Sequence, residues 1–240
     1  MNVRRVVAPM ALLLAAAGLS YGQTSWSVYH ADHFDIYYPA GQDAKVVSIA
    51  SDAEAAYSLI SFDLGRELGE KVQLILIRSQ SEQSAIVDAV GANGSPDRRF
   101  LVLPTDTSFN LRGVLVHELT HQFETELPMQ LSDTPAWVTE GLAEHEVGEW
   151  SASDLATIRA ALLAQSIPAV SHVDASDRVW GHALFDFVAT EYGLVGLRHY
   201  VSALVSNAFG DDSSRAAFGV TVEDFDWAFK MFVRARFIER

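Results

Sequence analysis

The spacing of apolar residues in the first third of the chain predicts two short strands, a long helix and a third strand. Residues 26–30 and 33–38 alternate between apolar and polar positions, as in a hairpin that turns at Ala31-Asp32. From Asp43 to Leu64, apolar residues recur mostly on one side of a helix. Residues 71–78 are apolar almost throughout, which predicts a strand that is buried on both faces.

The rest of the chain is predominantly helical in pattern, with one more strand predicted at residues 99–103. Residues 81–90 are predicted as a short helix and residues 91–96 as a loop. Helical patterns then cover residues 153–165, 181–192, 194–207 and 221–238. We therefore expect an α+β fold with a small mixed sheet and a largely helical C-terminal half.

Another helix is predicted at residues 135–147 from the residues at its two ends. Pro135 suits a first-turn position, Thr134 or Asp133 could cap the N-terminus, and Gly148 could end the helix.

The chemistry of the chain centres on the run His117-Glu118-Leu119-Thr120-His121. On a helix, two histidines four residues apart project from the same face, so their imidazoles can bind one metal ion. Glu118 lies beside them, where it could take a proton from the water that the metal activates. The flanks favour this helix, because they contain no proline and because Leu115, Leu119 and Phe123 form an apolar stripe.

A motif with three fixed positions can also arise by chance, and paired helical histidines can form an ordinary polar patch. Glu140 argues against that interpretation, because it follows His121 with eighteen residues between them. Two histidines and one glutamate form a recurrent ligand set of catalytic zinc. Glu144, one turn after Glu140, could hydrogen-bond the distal nitrogen of a ligand histidine, or it could be a solvated helix carboxylate.

The motif H-E-x-x-H, followed after eighteen residues by the glutamate of W-x-x-E-G-x-A, resembles the gluzincin metallopeptidases. It is most similar to the bacterial peptidase MA-like family, whose members run from a hydrophobic strand and a proline to the metal helix. The resemblance covers most of the chain after residue 25, including residues 26–38, 101–104, 135–143 and 181–193.

This resemblance implies a zincin-like, thermolysin-type catalytic domain over residues 23–240. It would have a sheet-containing lobe that includes the metal helix (23–130) and a helical lobe that carries the third ligand (131–240). It also implies one zinc ion held by His117, His121 and Glu140, with Glu118 as general base and acid. In gluzincins the edge of a sheet pairs with the extended substrate, so residues 98–103 could form such an edge or simply a core strand.

Two departures from the zinc aminopeptidases bear on specificity and on the oxyanion. The G-A-M-E-N substrate motif is missing before His117, so exopeptidase specificity does not carry over. The tyrosine that would stabilise the oxyanion falls at Arg178 here. Arg178, His172 and His182 are possible donors in its place. The simpler explanations are surface charge for Arg178 and His172 and a helix-face histidine for His182.

The N-terminus predicts a signal peptide at residues 1–22. Arg4 and Arg5 precede an apolar run from residue 6 to residue 19, and Ser20-Tyr21-Gly22 fits a cleavage site after Gly22. The run is short for a membrane span, which needs about 20 residues. We expect export to the periplasm or secretion, with an uncleaved anchor as the alternative.

The charge and the cysteine content of the chain limit the classes of partner and of metal site that it can have. The chain of 240 residues has a formal net charge of −14, which argues against nucleic acid or an anionic membrane as the main partner, although the same charge could equally reflect solubility alone. It contains no cysteine, so neither disulfides nor a cysteine-rich zinc site contributes to the fold. The sequence therefore predicts an exported zinc metallopeptidase that acts on peptides or proteins. A zinc hydrolase of a non-peptide amide and a non-catalytic zinc-binding module remain alternatives, and dependence on a partner subunit stays open.

Overall fold

The computed structural model describes residues 26–78, 100–105, 110–127, 134–173, 177–206 and 212–238. The predicted signal peptide, the helix at 81–90 and the loop at 91–96 lie outside these residues. Strands and helices follow in chain order as β1 (Trp26–His30), β2 (Phe34–Pro39), α1 (Asp43–Leu64), β3 (Val72–Ile77), β4 (Phe100–Pro104), α2 (Leu111–Glu124), α3 (Ala136–Val147), α4 (Ala152–Leu163), α5 (Arg178–Ser206), α6 (Ser213–Phe218) and α7 (Val222–Phe237).

The described residues form two compact units, one made of those between 26 and 59 and between 68 and 115, and the other made of residues 60–67 and the described residues from 116 onward. The part of α2 that carries both histidines falls in the same unit as α3. None of the helices in the described ranges is both long and apolar enough to cross a membrane.

The first unit contains a four-stranded mixed sheet in the order β1-β2-β3-β4. Strands β1 and β2 form the predicted antiparallel hairpin, with Val28 opposite Tyr37, and β3 runs parallel to both β2 and β4. The side chains of residues 74–77 in β3 are completely buried, as its apolar run predicts. The α+β class with a small mixed sheet is therefore confirmed.

The second unit is helical and has an aromatic core. Phe185, Phe187, Tyr200, Phe225 and Phe229 are all nearly inaccessible to solvent. Several of these rings pack edge to face or tilted, for example Phe187 and Phe225 with centroids 5.2 Å apart.

Most of the predicted helix ends lie within three residues of the ends in the structure. Helix α1 has the predicted bounds, and its apolar side is buried. The predicted helices 181–192 and 194–207 correspond to α5, which begins earlier and is interrupted at Gly193, where φ is +66°. The short helix α6 was not predicted.

The predicted start of α3 is wrong in detail. Pro135 is itself the N-cap residue, with φ −58° and ψ 136°, rather than a residue of the first turn. It therefore takes the position that was predicted for Thr134 or Asp133, and Asp133 lies outside the described residues. The C-terminal end is as predicted, because Gly148 adopts the left-handed conformation with φ 72°.

Candidate metal centre

Helix α2 presents its two histidines on the side opposite a buried stripe. Leu115, Leu119 and Phe123 are completely buried, as their spacing predicts. His117 and His121 are partly exposed, with 22% and 26% of their side chains accessible. The helix is thereby held by its apolar side while its imidazoles stay accessible to a small ion.

Helix α3 carries Glu140 and packs very closely on α5. A Cβ atom on Gly181 would lie 1.9 Å from the carbonyl oxygen of Trp137, and one on Gly141 would lie 2.6 Å from the main chain of Gly181. Only glycine fits at both positions at this separation. The glycine in W-x-x-E-G-x-A therefore has a packing explanation: it lets α3 approach α5 closely and so fixes the position of its neighbour Glu140.

Potential ligand atoms of three side chains on α2 and α3 lie close together. The Nε2 atoms of His117 and His121 are 3.3 Å apart. The carboxylate of Glu140 places one oxygen 3.3 Å from His117 Nε2 and the other 3.6 Å from His121 Nε2. Atoms bound about 2.0–2.1 Å from a tetrahedral ion are about 3.3–3.4 Å from one another, so the spacing fits a single metal ion. Within the described ranges, no other group of histidine and acidic residues has such a spacing.

The distal nitrogen of His121 is held by a carboxylate that sequence reasoning missed. His121 Nδ1 is 2.9 Å from Glu124 Oε2, and the Glu124 side chain is 1% exposed. With its Nδ1 proton donated to Glu124, the ring keeps a lone pair on Nε2, the atom that lies closest to His117 and Glu140. The spacing of three residues between His121 and Glu124 on one helix is the signal that could have identified this pair.

Burial and neighbouring charges shift the pKa values of two residues in this cluster, His121 and Glu124. Burial on its own lowers the pKa of His121, but the hydrogen bond to Glu124 and the charges of Glu124, Glu140 and Glu118 outweigh it and raise the pKa above its ordinary value. Burial raises the pKa of Glu124 to about 7, against the opposing effect of His121. Three carboxylates, those of Glu118, Glu124 and Glu140, thus act on His121, and a bound cation would compensate their charge.

Glu144 lies near His117 but does not form the predicted hydrogen bond. Its Oε1 atom is 3.9 Å from His117 Nδ1, which is beyond hydrogen-bond distance. The same oxygen accepts a 2.7 Å hydrogen bond from Nη1 of Arg178. The carboxylate of Glu144 therefore lies beside His117, and its direct partner is Arg178.

Glu118 is exposed on α2, between the two histidines in sequence. Its charge contributes to the raised pKa of His121, so its carboxylate is close enough to affect the centre electrostatically. A carboxylate that is open to solvent and near a bound cation can accept and return a proton.

The three predicted oxyanion donors have different surroundings. Arg178 is ion-paired with both Glu144 and Asp154. His172 lies in a short 3₁₀ turn, where its Nδ1 is 3.2 Å from the hydroxyl of Ser171.

His182 is buried in the helical core, stacked on Trp150 with centroids 3.8 Å apart, and burial lowers its pKa to about 4. Among the described residues, neither His172 nor His182 forms a hydrogen bond with His117, His121 or Glu140.

The predicted substrate edge is a strand, with bounds 100–104 that are shifted by one residue. In the described sheet, β4 pairs with β3 only and is the last strand in the order. Its role in binding substrate stays a prediction.

Comparison with protein-family models gives no match to this chain, and comparison with curated proteins gives no significant match.

Proposed function

We propose that this chain is an exported zinc-dependent metallopeptidase with a zincin-like catalytic domain of the thermolysin type. The observation that carries the proposal is the convergence of the His117, His121 and Glu140 ligand atoms, with separations of 3.3–3.6 Å. The motif H-E-x-x-H with a glutamate eighteen residues later, which resembles that of the peptidase MA-like family, supports the same function.

The donor set favours zinc over calcium and magnesium, the common metals that prefer oxygen ligands. Two imidazole nitrogens and one carboxylate oxygen form a recurrent ligand set of catalytic zinc, which leaves a fourth position open. Calcium and magnesium prefer oxygen ligands. The hydrogen bond between His121 Nδ1 and Glu124 leaves Nε2 of that ring free to bind the metal. We therefore expect one zinc ion per chain.

The residues around this centre have separate roles in the proposed hydrolysis. A bound zinc ion would supply a Lewis acid that polarises the scissile carbonyl and makes water a better nucleophile. The carboxylate of Glu118 would accept the proton of the attacking water and donate it to the leaving nitrogen. Glu124 would hold the Nδ1 proton of His121 and with it the orientation of the ring.

The proposed location and substrate rest on the sequence. The basic residues Arg4 and Arg5 and the apolar run that follows them favour export. The resemblance to peptidases favours a peptide or protein as the substrate.

The proposal is tested by measuring zinc content and the cleavage of an unfolded protein, with and without a chelator. We expect about one zinc per chain and proteolysis that stops when the metal is removed. Zinc without cleavage of any peptide would instead support a non-catalytic zinc-binding module. Zinc with hydrolysis of another amide alone would support a different hydrolase. A chain that binds no zinc after reloading would contradict the proposal.

The substitution Glu118→Gln isolates the chemical step. We expect it to retain zinc and to lower kcat by about 10²–10⁴-fold, because the amide cannot accept the proton. Glu223→Gln, which changes an exposed glutamate in the first turn of α7, is the matched control and should leave kcat unchanged. A zinc-loaded Glu118→Gln variant with full activity would rule out this role.

A further inference from the structure

We propose that Arg178 is a positioning residue of the metal centre, which acts through Glu144 on the ligand histidine His117. This inference rests on the proposed function, because it concerns the same centre. It assigns Arg178 a task different from that of an oxyanion donor, which is the role that the resemblance to the zinc aminopeptidases suggested for its position.

The guanidinium group of Arg178 joins two carboxylates from different helices. Its Nη1 atom is 2.7 Å from Oε1 of Glu144 in α3, and its Nη2 atom is 3.0 Å from Oδ1 of Asp154 in α4. Arg178 itself is the first residue of α5. One side chain therefore connects three helices, and one of them carries the third ligand, Glu140.

The side chain of Asp154 holds Arg178 in place. Its side chain is 6% exposed, and its backbone N–H is capped by the hydroxyl of Ser151 at the start of α4. A buried carboxylate needs a charged partner, and Arg178 supplies it. Because Asp154 is fixed in this way, Arg178 is fixed too, and it can in turn hold Glu144 in one orientation.

The oxygen of Glu144 that Arg178 binds is also the one that lies 3.9 Å from His117 Nδ1. A carboxylate held at this place favours a proton on Nδ1 of His117, which leaves Nε2 free as the ligand atom. A small decrease in the distance between Glu144 Oε1 and His117 Nδ1 would complete the hydrogen bond. The ion pair with Arg178 keeps the Glu144 carboxylate in the position from which it can form this bond.

The two ligand histidines are thus supported in different ways. His121 has a partner three residues away on its own helix, Glu124. The carboxylate beside His117 comes from another helix and depends on Arg178. Loss of Arg178 should therefore affect the His117 side of the centre and leave the pair of His121 and Glu124 intact.

Substitution of Arg178 tests this directly through zinc affinity, which is measured by competition with a chromogenic chelator on the full chain. We expect Arg178→Met to weaken zinc binding about 10–100-fold, as is typical when a partner of a ligand histidine is lost. Arg178→Lys should recover little of this loss, because an ammonium group lacks the planar fork that reaches both carboxylates. Arg215→Met, at an exposed arginine of α6, is the control and should bind zinc like the wild type.

Glu144→Gln provides a second route to the same result if Arg178→Met does not fold. This variant should weaken zinc binding to a similar extent. The zinc affinity of the double variant, with both Arg178→Met and Glu144→Gln, should be no lower than that of either single variant, because both changes break the same connection. Nitrogen NMR of the histidine rings should show a loss of the single His117 tautomer, while the tautomer of His121 is kept.

The outcomes separate this inference from the proposed function. If the wild type binds zinc and Arg178→Met and Glu144→Gln bind it equally well, the positioning role is wrong. If zinc affinity is unchanged and only kcat falls in Arg178→Met, Arg178 acts on the substrate instead, and the inference is also wrong. If the wild type binds no zinc, the proposed function fails and this inference fails with it.

Discussion

The close contact between α3 and α5 makes Gly181→Ala the most informative single substitution. A Cβ atom at position 181 would lie 1.9 Å from the carbonyl oxygen of Trp137, 2.9 Å from its carbonyl carbon and 3.0 Å from the Cα of Gly141. All three neighbours belong to the main chain, so no side chain can rotate away. The helices must therefore separate, by roughly 1 Å, before the new methyl group fits.

Two consequences follow from that separation. Overpacking in a core costs about 1–3 kcal/mol, and we expect the upper end because the contact is with rigid backbone. Glu140 is the neighbour of Gly141, so the shift also displaces this proposed third ligand from its present position relative to the histidines. We expect zinc affinity to fall about 10–100-fold, as it does for other disturbances of the supporting structure around a metal.

Urea denaturation in the presence of a chelator gives the loss of stability, and competition with a chromogenic chelator gives the loss of zinc affinity. Thr190→Ala, at an exposed position of the same helix, adds no contact with α3 and is the control for the change in helix propensity. A Gly181→Ala variant within about 0.5 kcal/mol of the wild type and with unchanged zinc affinity would refute the reasoning.

Two further predictions concern buried carboxyls. Glu124→Gln should weaken zinc binding about tenfold or more, because a neutral amide is a poorer partner for His121 than a carboxylate; equal affinity in a chelator competition would contradict this. Glu146 lies close to Asp63, and burial, together with the charge of Asp63, raises the pKa of Glu146 from 4.5 to about 9. The native state thus keeps a proton that the unfolded chain releases, so stability should fall as the pH rises from 4.5 towards 9. Glu146→Gln should remove this fall in stability and be more stable than the wild type at pH values around 8, as measured by urea denaturation with chelator. A variant that is less stable than the wild type at this pH would show that Glu146 is not protonated in the native state.

The sequence predicted those parts of the site that depend on local geometry. His117 and His121 share a face because they are one helical turn apart, and nothing beyond the helix is needed to bring them together. The bounds of α1 were predicted for a similar reason, since its apolar side is long and regular.

Contacts between distant residues were harder to predict. The approach of Glu140 to the histidines depends on Gly141 meeting Gly181, forty residues later, and periodicity carries no information about such a contact. The ion pairs of Arg178 with Glu144 and Asp154 likewise depend on how three helices pack. Glu124 is different, because its spacing of three residues from His121 can be read from the sequence. Its burial, which separates it from an ordinary surface glutamate, is seen only in the structure.

The origin of the three ligands in two helices has a consequence for folding. Under the proposed function, a metal ion bound by His117, His121 and Glu140 closes a loop of eighteen residues, in a chain that has no cysteine to form a covalent cross-link. A disulfide that closed a loop of similar length would stabilise a protein by about 3 kcal/mol, largely by restricting the unfolded chain. Metal supply would then govern the lifetime of the folded protein as well as its chemistry, so that a chain short of metal would unfold and be degraded sooner.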